Sequence, residues 1–235
     1  MNTRSKLVIA IDGPAGAGKS TLAAQLARKL GYVNLESGAM YRALALKALA
    51  TQVALDDEAA LTLLAEQSRI ELLPGADGNC VLLDGNDVSR RIREQDVTDA
   101  ASRVSVHPGV REWMVARQRE MGAQGGIIME GRDIGTKVFP DADVKIFLDA
   151  APEVRGDRRF RQTRRGSLPP DAVIAELRER DRRDRTRAAS PLAPASDAVI
   201  IDSTGMTIEE VMARAEAIIA ERQSAVVSRQ SPAKE

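Results

Sequence analysis

Gly13-Pro14-Ala15-Gly16-Ala17-Gly18-Lys19-Ser20 follows the spacing G-x-x-x-x-G-K-[ST]. Glycines at these places let the backbone turn its N–H groups inward around an anion, and a following helix N-terminus adds partial positive charge. A lysine at the seventh position reaches the β- and γ-phosphates of a nucleotide, and the Ser20 hydroxyl can ligate Mg²⁺. The pattern implies a nucleoside triphosphate site. It leaves open what receives the phosphoryl group, because switches, motors and small-molecule kinases share it.

Three further clusters offer groups for a second ligand. Glu36-Ser37-Gly38-Ala39-Met40-Tyr41-Arg42 places an arginine one helical turn beyond a candidate N-cap, Ser37. Glu130-Gly131-Arg132-Asp133 follows an apolar run, so Arg132 sits badly for a core and well for an anion. Glu179 to Arg187 alternates acids and arginines. From Arg155 to Arg187 there are twelve arginines, six acids and no lysine. A solvated helix face laced with i,i+4 pairs would account for some of these. Several arginines converging on one acceptor suggest that the acceptor itself carries phosphate, since the planar guanidinium pairs with phosphate oxygens bidentately. A phosphate acceptor is already a nucleophile. Catalysis then needs positioning and charge neutralisation rather than a general base. A GTPase would need an Asn-Lys-x-Asp element, and none of Asn2, Asn34, Asn79 and Asn86 precedes a lysine.

The elements that must hold these groups are legible as apolar runs. Leu7–Ile11, Tyr32–Leu35, Ile127–Met129, Val144–Leu148 and Ala198–Ile201 read as buried strands. Helices are expected at Lys19–Leu30, Ala39–Thr51, Asp57–Glu66, Val97–Val106, Gly109–Met121, Pro152–Arg165, Asp171–Arg185 and Thr207–Arg222. The alternation implies an α/β fold with a mostly parallel sheet covered on both faces. One stretch breaks it. Arg69–Leu73, Cys80–Leu83 and Asp87-Val88, separated by Pro74-Gly75, Asp77-Gly78 and Asp84-Gly85-Asn86, predict a small antiparallel meander. The expected organisation is a core over residues 1–54 and 104–222, with an arginine-rich lid at about 155–190. An inserted subdomain occupies 55–103, a mobile tip Gly166–Pro170, and a frayed tail 223–235.

Of the 235 residues, 43% are hydrophobic and few are aromatic, so Ala, Val, Leu and Ile must build the core. Acidic and basic residues balance at 34 each, which argues against bulk attraction to nucleic acid or anionic membrane. No run has the length of a membrane span and no signal-peptide core is present, so a cytoplasmic protein is expected. The single cysteine, Cys80, reads as a small core residue. His107, before Pro108, reads as a turn residue rather than a proton shuttle, and Trp113 and Phe139 as packing anchors. Asp149, at a strand end, suits either Mg²⁺ or a helix cap.

Taken together, the glycine loop, Ser37-Gly38-Ala39-x-Tyr41-Arg42, Gly131–Ala142, Lys145–Ala150, Glu179–Arg187 and Asp202-Ser203-Thr204 resemble the bacterial cytidylate kinases. The resemblance runs from about Leu7 to Val211. It implies a P-loop nucleoside monophosphate kinase fold, with a five-stranded parallel sheet and the loop-bearing strand in its middle. It also implies that the meander serves as the monophosphate-binding insert. The reaction implied is Mg²⁺-dependent phosphorylation of CMP and dCMP by ATP. By the same resemblance, Gly13, Pro14, Ala15, Gly16, Ala17, Gly18, Lys19, Ser20 and Thr21 would hold ATP. Ser37 and Asp184 would contact the cytosine nucleotide, and Arg132 and Asp133 would read the base side. Arg42 and Arg111 would face the acceptor phosphate. Ser102 and Arg180 would serve the sugar end and lid, and Arg187 would reach the transferring phosphate, with Arg158 and Arg164 as further lid candidates. Lys19, Arg132, Arg180 and Arg187 form the expected catalytic set. Glu36 and Glu130 stand where the family pattern has Asp and are left outside that set. The competing readings are another small-acceptor P-loop kinase and a nucleotide-dependent switch that binds RNA through its arginines. Balanced charge and scarce aromatic stacking surface weigh against RNA, and a monomer is expected.

Overall fold

A computed structural model describes residues 6–75, 78–162 and 170–230. Five strands, β1 (Val8–Asp12), β2 (Val33–Glu36), β6 (Ile127–Gly131), β7 (Val144–Asp149) and β8 (Val199–Asp202), form one sheet in the order β2-β6-β1-β7-β8. Every pairing in it is parallel. The expected fold class is therefore the observed one, and the strand before the glycine loop lies at the centre. All five residues of β1 and of β6 are buried, as strands covered on both faces must be.

Helices α1 (Lys19–Leu30) and α8 (Ile208–Gln230) cover one face. Ile9, Ile11, Leu22, Leu26, Val211, Ala215 and Ile219 share its core. The opposite face belongs to α2 (Ser37–Ala50), α3 (Glu58–Glu66), α4 (Gln95–Val104) and α5 (Pro108–Met121). Val8, Ala10, Leu35 and Met129 meet Leu44, Leu61, Val97 and Met114 there. The period of two along β1 sends alternate side chains to these two cores.

The meander is present as β3 (Ile70–Gly75), β4 (Gly78–Leu83) and β5 (Asn86–Asp87), antiparallel throughout. Asp84 and Gly85 both have positive φ between paired Leu83 and Asn86, the geometry of a tight type I′ hairpin. Ile70, Leu72, Val81 and Leu83 join the same apolar cluster as Leu35 and Met129. The insert is thus continuous with the main core in packing.

Several expected boundaries move. Ser37 is the first residue of α2 rather than its N-cap, a position held by Glu36. The freed Ser37 hydroxyl donates instead to the Glu130 carbonyl at 2.7 Å. α4 begins at Gln95, ahead of Val97, and α8 continues to Gln230 rather than fraying after Arg222. No Gly or Pro interrupts residues 223–230, and Pro232 follows. Cys80 is half-buried rather than a full core residue. His107 takes the N-cap position of α5, and its Nε2 lies 2.9 Å from the Leu55 carbonyl oxygen, which is the expected turn role. Phe139 is buried, as expected of a packing anchor, and Trp113 packs against the same cluster. The Gly166–Pro169 tip and Arg164 lie outside the described residues. Among the described residues two helices remain, α6 (Pro152–Gln162) and α7 (Pro170–Thr186), together with a 3-10 turn at Arg91–Arg93 and a π-helical turn at Ile134–Val138. Among the described residues no helix is long and apolar enough to cross a membrane.

Gly122, at the end of α5, shows how closely this core is filled. A Cβ there would lie 2.3 Å from the Phe139 ring and 2.5 Å from Ile127 Cδ1. Gly122→Ala is expected to destabilise the fold by about 1–3 kcal/mol through overpacking. Urea denaturation checks this, and an unchanged midpoint would contradict it.

Candidate active site

The carboxyl ends of the strands open into a cavity of about 520 Å³. The glycine loop forms one wall. Gly13, Gly16 and Gly18 have φ of 147°, 77° and 100°, values that other residues adopt only with strain. Gly13 is also sterically fixed, since a Cβ there would lie 2.0 Å from the Leu148 carbonyl oxygen. Lys19 opens α1 and is almost wholly buried, with its ammonium donating to the Pro14 carbonyl at 2.7 Å. Burial, and the Arg132 guanidinium nearby, push its pKa down to about 7, against the opposing pull of Glu130.

The facing wall gathers the residues singled out from sequence. Ser37, Arg42, Ser102, Arg111, Arg132, Asp133, Arg180, Asp184 and Arg187 all line the same cavity as Lys19, Ser20 and Thr21. Helix α2 brings Arg42, α4 brings Ser102, and α5 brings Arg111. Helix α7 brings Arg180 and Asp184 one turn apart, and Arg187 follows its last turn. Arg111 is held by Asp133, donates to the Ser105 carbonyl at 3.0 Å, and lies 5.6 Å from the Tyr41 ring centroid. Arg132 Nε donates to Asp184 at 2.8 Å. Arg187 stands 3.9 Å from both Asp133 and Asp184. Arg42 is paired with Glu36.

Eight cationic side chains and four carboxylates line the cavity, so its charge suits a polyanion. Polar atoms are also left over. The Ser102 hydroxyl, Arg42 Nε, Arg180 Nε and Arg187 Nη2 are buried without a hydrogen-bond partner. These donors are free to bond a ligand in the cavity. Burial and the neighbouring Arg132 push Arg180 down to about 10. Asp184 is held below the ordinary carboxylate range: Arg132, Arg180 and Arg187 outweigh the opposing effect of its burial.

Three acids missed as site residues take part. Asp12, the last residue of β1, accepts from the N–H groups of Ile134 and Gly135 at 2.8 and 2.7 Å. It ties the end of the central strand to the turn that follows Arg132 and Asp133. Burial raises its pKa to about 6 against those two bonds. An acid immediately before Gly13 was the available signal. Glu36 and Glu130 are register partners at the ends of β2 and β6. Burial raises the pKa of Glu130, with Glu36 adding repulsion, while Lys19 and a hydrogen bond from Ser20 oppose the shift. Glu130 Oε1 is buried without a partner. Glu36 is lowered, because the Arg42 charge and hydrogen bond outweigh its burial. Asp149 does not line the cavity and instead accepts from the Ala150 N–H at 2.8 Å, just ahead of α6. Arg158 lies on the wall, but its guanidinium donates to the carbonyls of Ala17 and Ser203.

A glycine loop between the central strand of a parallel sheet and a helix, facing a wall of buried arginines, defines a P-loop kinase. A family model described as cytidylate kinase matches residues 9–221, and the chain belongs to that family of nucleoside monophosphate kinases. The cytidylate kinase of Pasteurella multocida (strain Pm70) is 50% identical over 214 residues, which are 90% of this chain and 94% of that protein. That of Solibacter usitatus (strain Ellin6076) is 51% identical over 212 residues, 88% of this chain and 90% of its own. The fold also matches a gluconokinase from Sinorhizobium meliloti 1021 with a TM-score of 0.51 at 14% identity, over 97% and 99% of the two chains.

The state of Lys19 makes a measurable demand. With its pKa near 7 the amine is mostly neutral at pH 8, and phosphate oxygens beside it favour the ammonium. A triphosphate is therefore expected to bind with proton uptake at pH 8, and with less uptake at pH 6, where the amine is already charged. Calorimetry in two buffers of different ionisation enthalpy reads this directly. Binding heats independent of buffer at pH 8 would refute it.

Proposed function

We propose that the chain transfers the γ-phosphoryl group of ATP directly to the phosphate of CMP, and also of dCMP, to give the diphosphate. Family membership supports the cytidylate acceptor. The observation that carries the two-ligand reading is the set of buried, unpartnered donors on Arg42, Ser102, Arg180 and Arg187, which line one cavity with the glycine loop.

In this reading the loop N–H groups and Lys19 hold the donor phosphates, with Gly13 to Thr21 as the cradle. Arg42 and Arg111 take the acceptor phosphate. Ser37 and Asp184 contact the acceptor nucleoside, Arg132 and Asp133 border its base, and Ser102 and Arg180 its sugar. Arg187 completes the set. The acceptor oxygen is already anionic, so no side chain has to remove a proton. The bond from the γ-phosphorus to the β–γ bridging oxygen breaks as the bond to the acceptor oxygen forms. The negative charge passes to the departing diphosphate. Lys19, Arg132 and Arg187 stabilise charge as it spreads over the transferring group, which in a site excluding water is the largest available effect.

Mg²⁺ fits the donor end. Ser20 offers a hydroxyl hydrogen-bonded to Glu130, and Glu130 Oε1 is a buried oxygen with no partner. These are hard oxygen ligands, and Mg²⁺ bound largely through nucleotide phosphates and waters needs only one or two from the protein. Ser20 and Glu130 would hold the ion, which would supply neutralising positive charge to the nucleotide phosphates. Balanced net charge argues against bulk attraction to nucleic acid, and the reading is of a cytoplasmic enzyme that works as a monomer.

A coupled assay with ATP-Mg²⁺ and each of CMP, dCMP, UMP, AMP and GMP tests this proposal. Turnover is expected on CMP and dCMP, and strong AMP turnover with none on CMP would overturn it. Arg132→Ala removes a guanidinium from the acceptor side and leaves Asp184 without its partner at 2.8 Å. It is expected to lower kcat/KM for CMP by roughly 10²-fold or more, with a much smaller change in ATP affinity. Unchanged KM and kcat for CMP would remove Arg132 from the site.

A further inference from the structure

A loop that points its N–H groups at an anion points its carbonyls the other way, into protein. Among these, the Ala15 carbonyl is received by Arg155. That arginine contributes nothing to the cavity wall; its side chain is 3% exposed and spreads in three directions. Nη1 donates to the Ala15 oxygen at 3.0 Å, and Nε donates to the Ala150 oxygen at 2.8 Å. Nη2 pairs with Asp181 of α7 at 2.6 Å. A single guanidinium thus joins the phosphate loop, the end of β7 and the helix bearing Arg180 and Asp184.

Asp181 immediately follows Arg180. One turn of α7 therefore sends one side chain into the cavity and the next to Arg155. Beside this pair, Ala15 packs on Val173 and Leu177 of the same helix in a small buried cluster. Gly16 lies against Arg155 as well, for a Cβ on it would meet the Arg155 Cβ at 3.1 Å. The fork geometry is specific to arginine, because a lysine ammonium is a point donor on a flexible stem and cannot reach all three groups at once.

We propose that Arg155 is a positioning residue that, through Asp181, locks α7 to the phosphate loop, so that donor and acceptor sites strengthen each other's occupancy. A nucleotide on the loop braces Ala15 and hence Arg155. Arg155 braces Asp181, and with it the turn that presents Arg180 and Asp184 to the acceptor. Coupling of this kind is reciprocal. The inference rests on the two-nucleotide reading above, and assay of the unmutated chain with ATP and CMP decides that reading separately.

The test compares the unmutated chain with Asp181→Asn, Arg155→Lys and Arg155→Met. Affinity for a non-hydrolysable ATP analogue is measured by calorimetry with and without saturating CMP, beside steady-state kinetics and thermal melting. The unmutated chain should bind the analogue about fivefold or more tightly when CMP is present. Asp181→Asn keeps the shape of the side chain and leaves Arg155 bonded to Ala15 and Ala150. It should bring that factor to within about twofold of unity and raise KM for CMP about tenfold, with affinity for the analogue alone little changed. Arg155→Met should lose coupling and also weaken the analogue alone, and Arg155→Lys should not restore coupling. If Arg155→Met fails to fold, Asp181→Asn still decides the matter. A lower melting temperature with the coupling factor and KM unchanged would mark the pair as merely structural and overturn the proposal, as would an unmutated chain whose two ligands bind independently.

Discussion

Presenting a row of backbone N–H groups to a phosphate is possible only if the same loop's carbonyls are satisfied from behind. Buried unpaired carbonyls are too costly to leave. Here the Pro14 carbonyl takes Lys19, the Ala15 carbonyl takes Arg155, and the Ala17 carbonyl takes Arg158 at 3.2 Å. Two of these donors are guanidinium cations, and phosphate in front of the loop would favour the charged form of the third. Charge-assisted bonds are the stronger kind, and positive charge behind the loop adds to the attraction in front of it. The surroundings of the loop follow from this need. The loop has to sit between β1 and α1 at the middle of the sheet, with β7 and α6 beside it to supply the cations. The π-turn after β6 is drawn in by Asp12 through Ile134 and Gly135.

The arginine-lined wall solves the opposite problem. It must keep many cations close together before any anion arrives. Interleaved carboxylates do this: Asp133 holds Arg111, Asp184 holds Arg132, and both stand near Arg187. The arginines keep their fork geometry while some of their N–H groups stay unspent, as Arg187 Nη2 and Arg180 Nε show. Electrostatic preorganisation of this type avoids moving side chains during the reaction.

Much of this was legible because the signals were local. The glycine loop, the strand ends and the Asp84-Gly85 turn follow from residue types within a few positions of one another. The arginine blocks pointed to residues that the fold brings to one cavity, because guanidinium groups spaced along the chain signal a shared anion site. The acids at strand ends were harder to read. Glu36 and Glu130 become neighbours only through the β2–β6 register, and Asp12 finds its partners 122 residues away. Ser37 looked like a cap, since a serine before a helix usually is one. The bond to Glu130 across the sheet, which no propensity encodes, won instead. Arg155 was lost among twelve similar residues, since nothing local separates a buried three-way bridge from a solvated face.

The same packing shows where the molecule can yield. The insert is large in sequence, yet Ile70, Leu72, Val81, Leu83, Ile92 and Val97 share one apolar cluster with Leu35 and Met129 of the sheet. Lifting it away would expose that whole set to water at once. Helix α7 is seated differently. Among the described residues, the apolar cluster holding it to the loop is Ala15, Val173 and Leu177, and the rest is carried by polar bridges such as Arg155–Asp181 and Arg132–Asp184. Apolar burial resists separation in proportion to area, whereas charged bridges regain water when they open. The side that carries Arg42, Ser102 and Arg111 is thus seated by apolar burial, and the side that carries Arg180 and Asp184 largely by charged bridges.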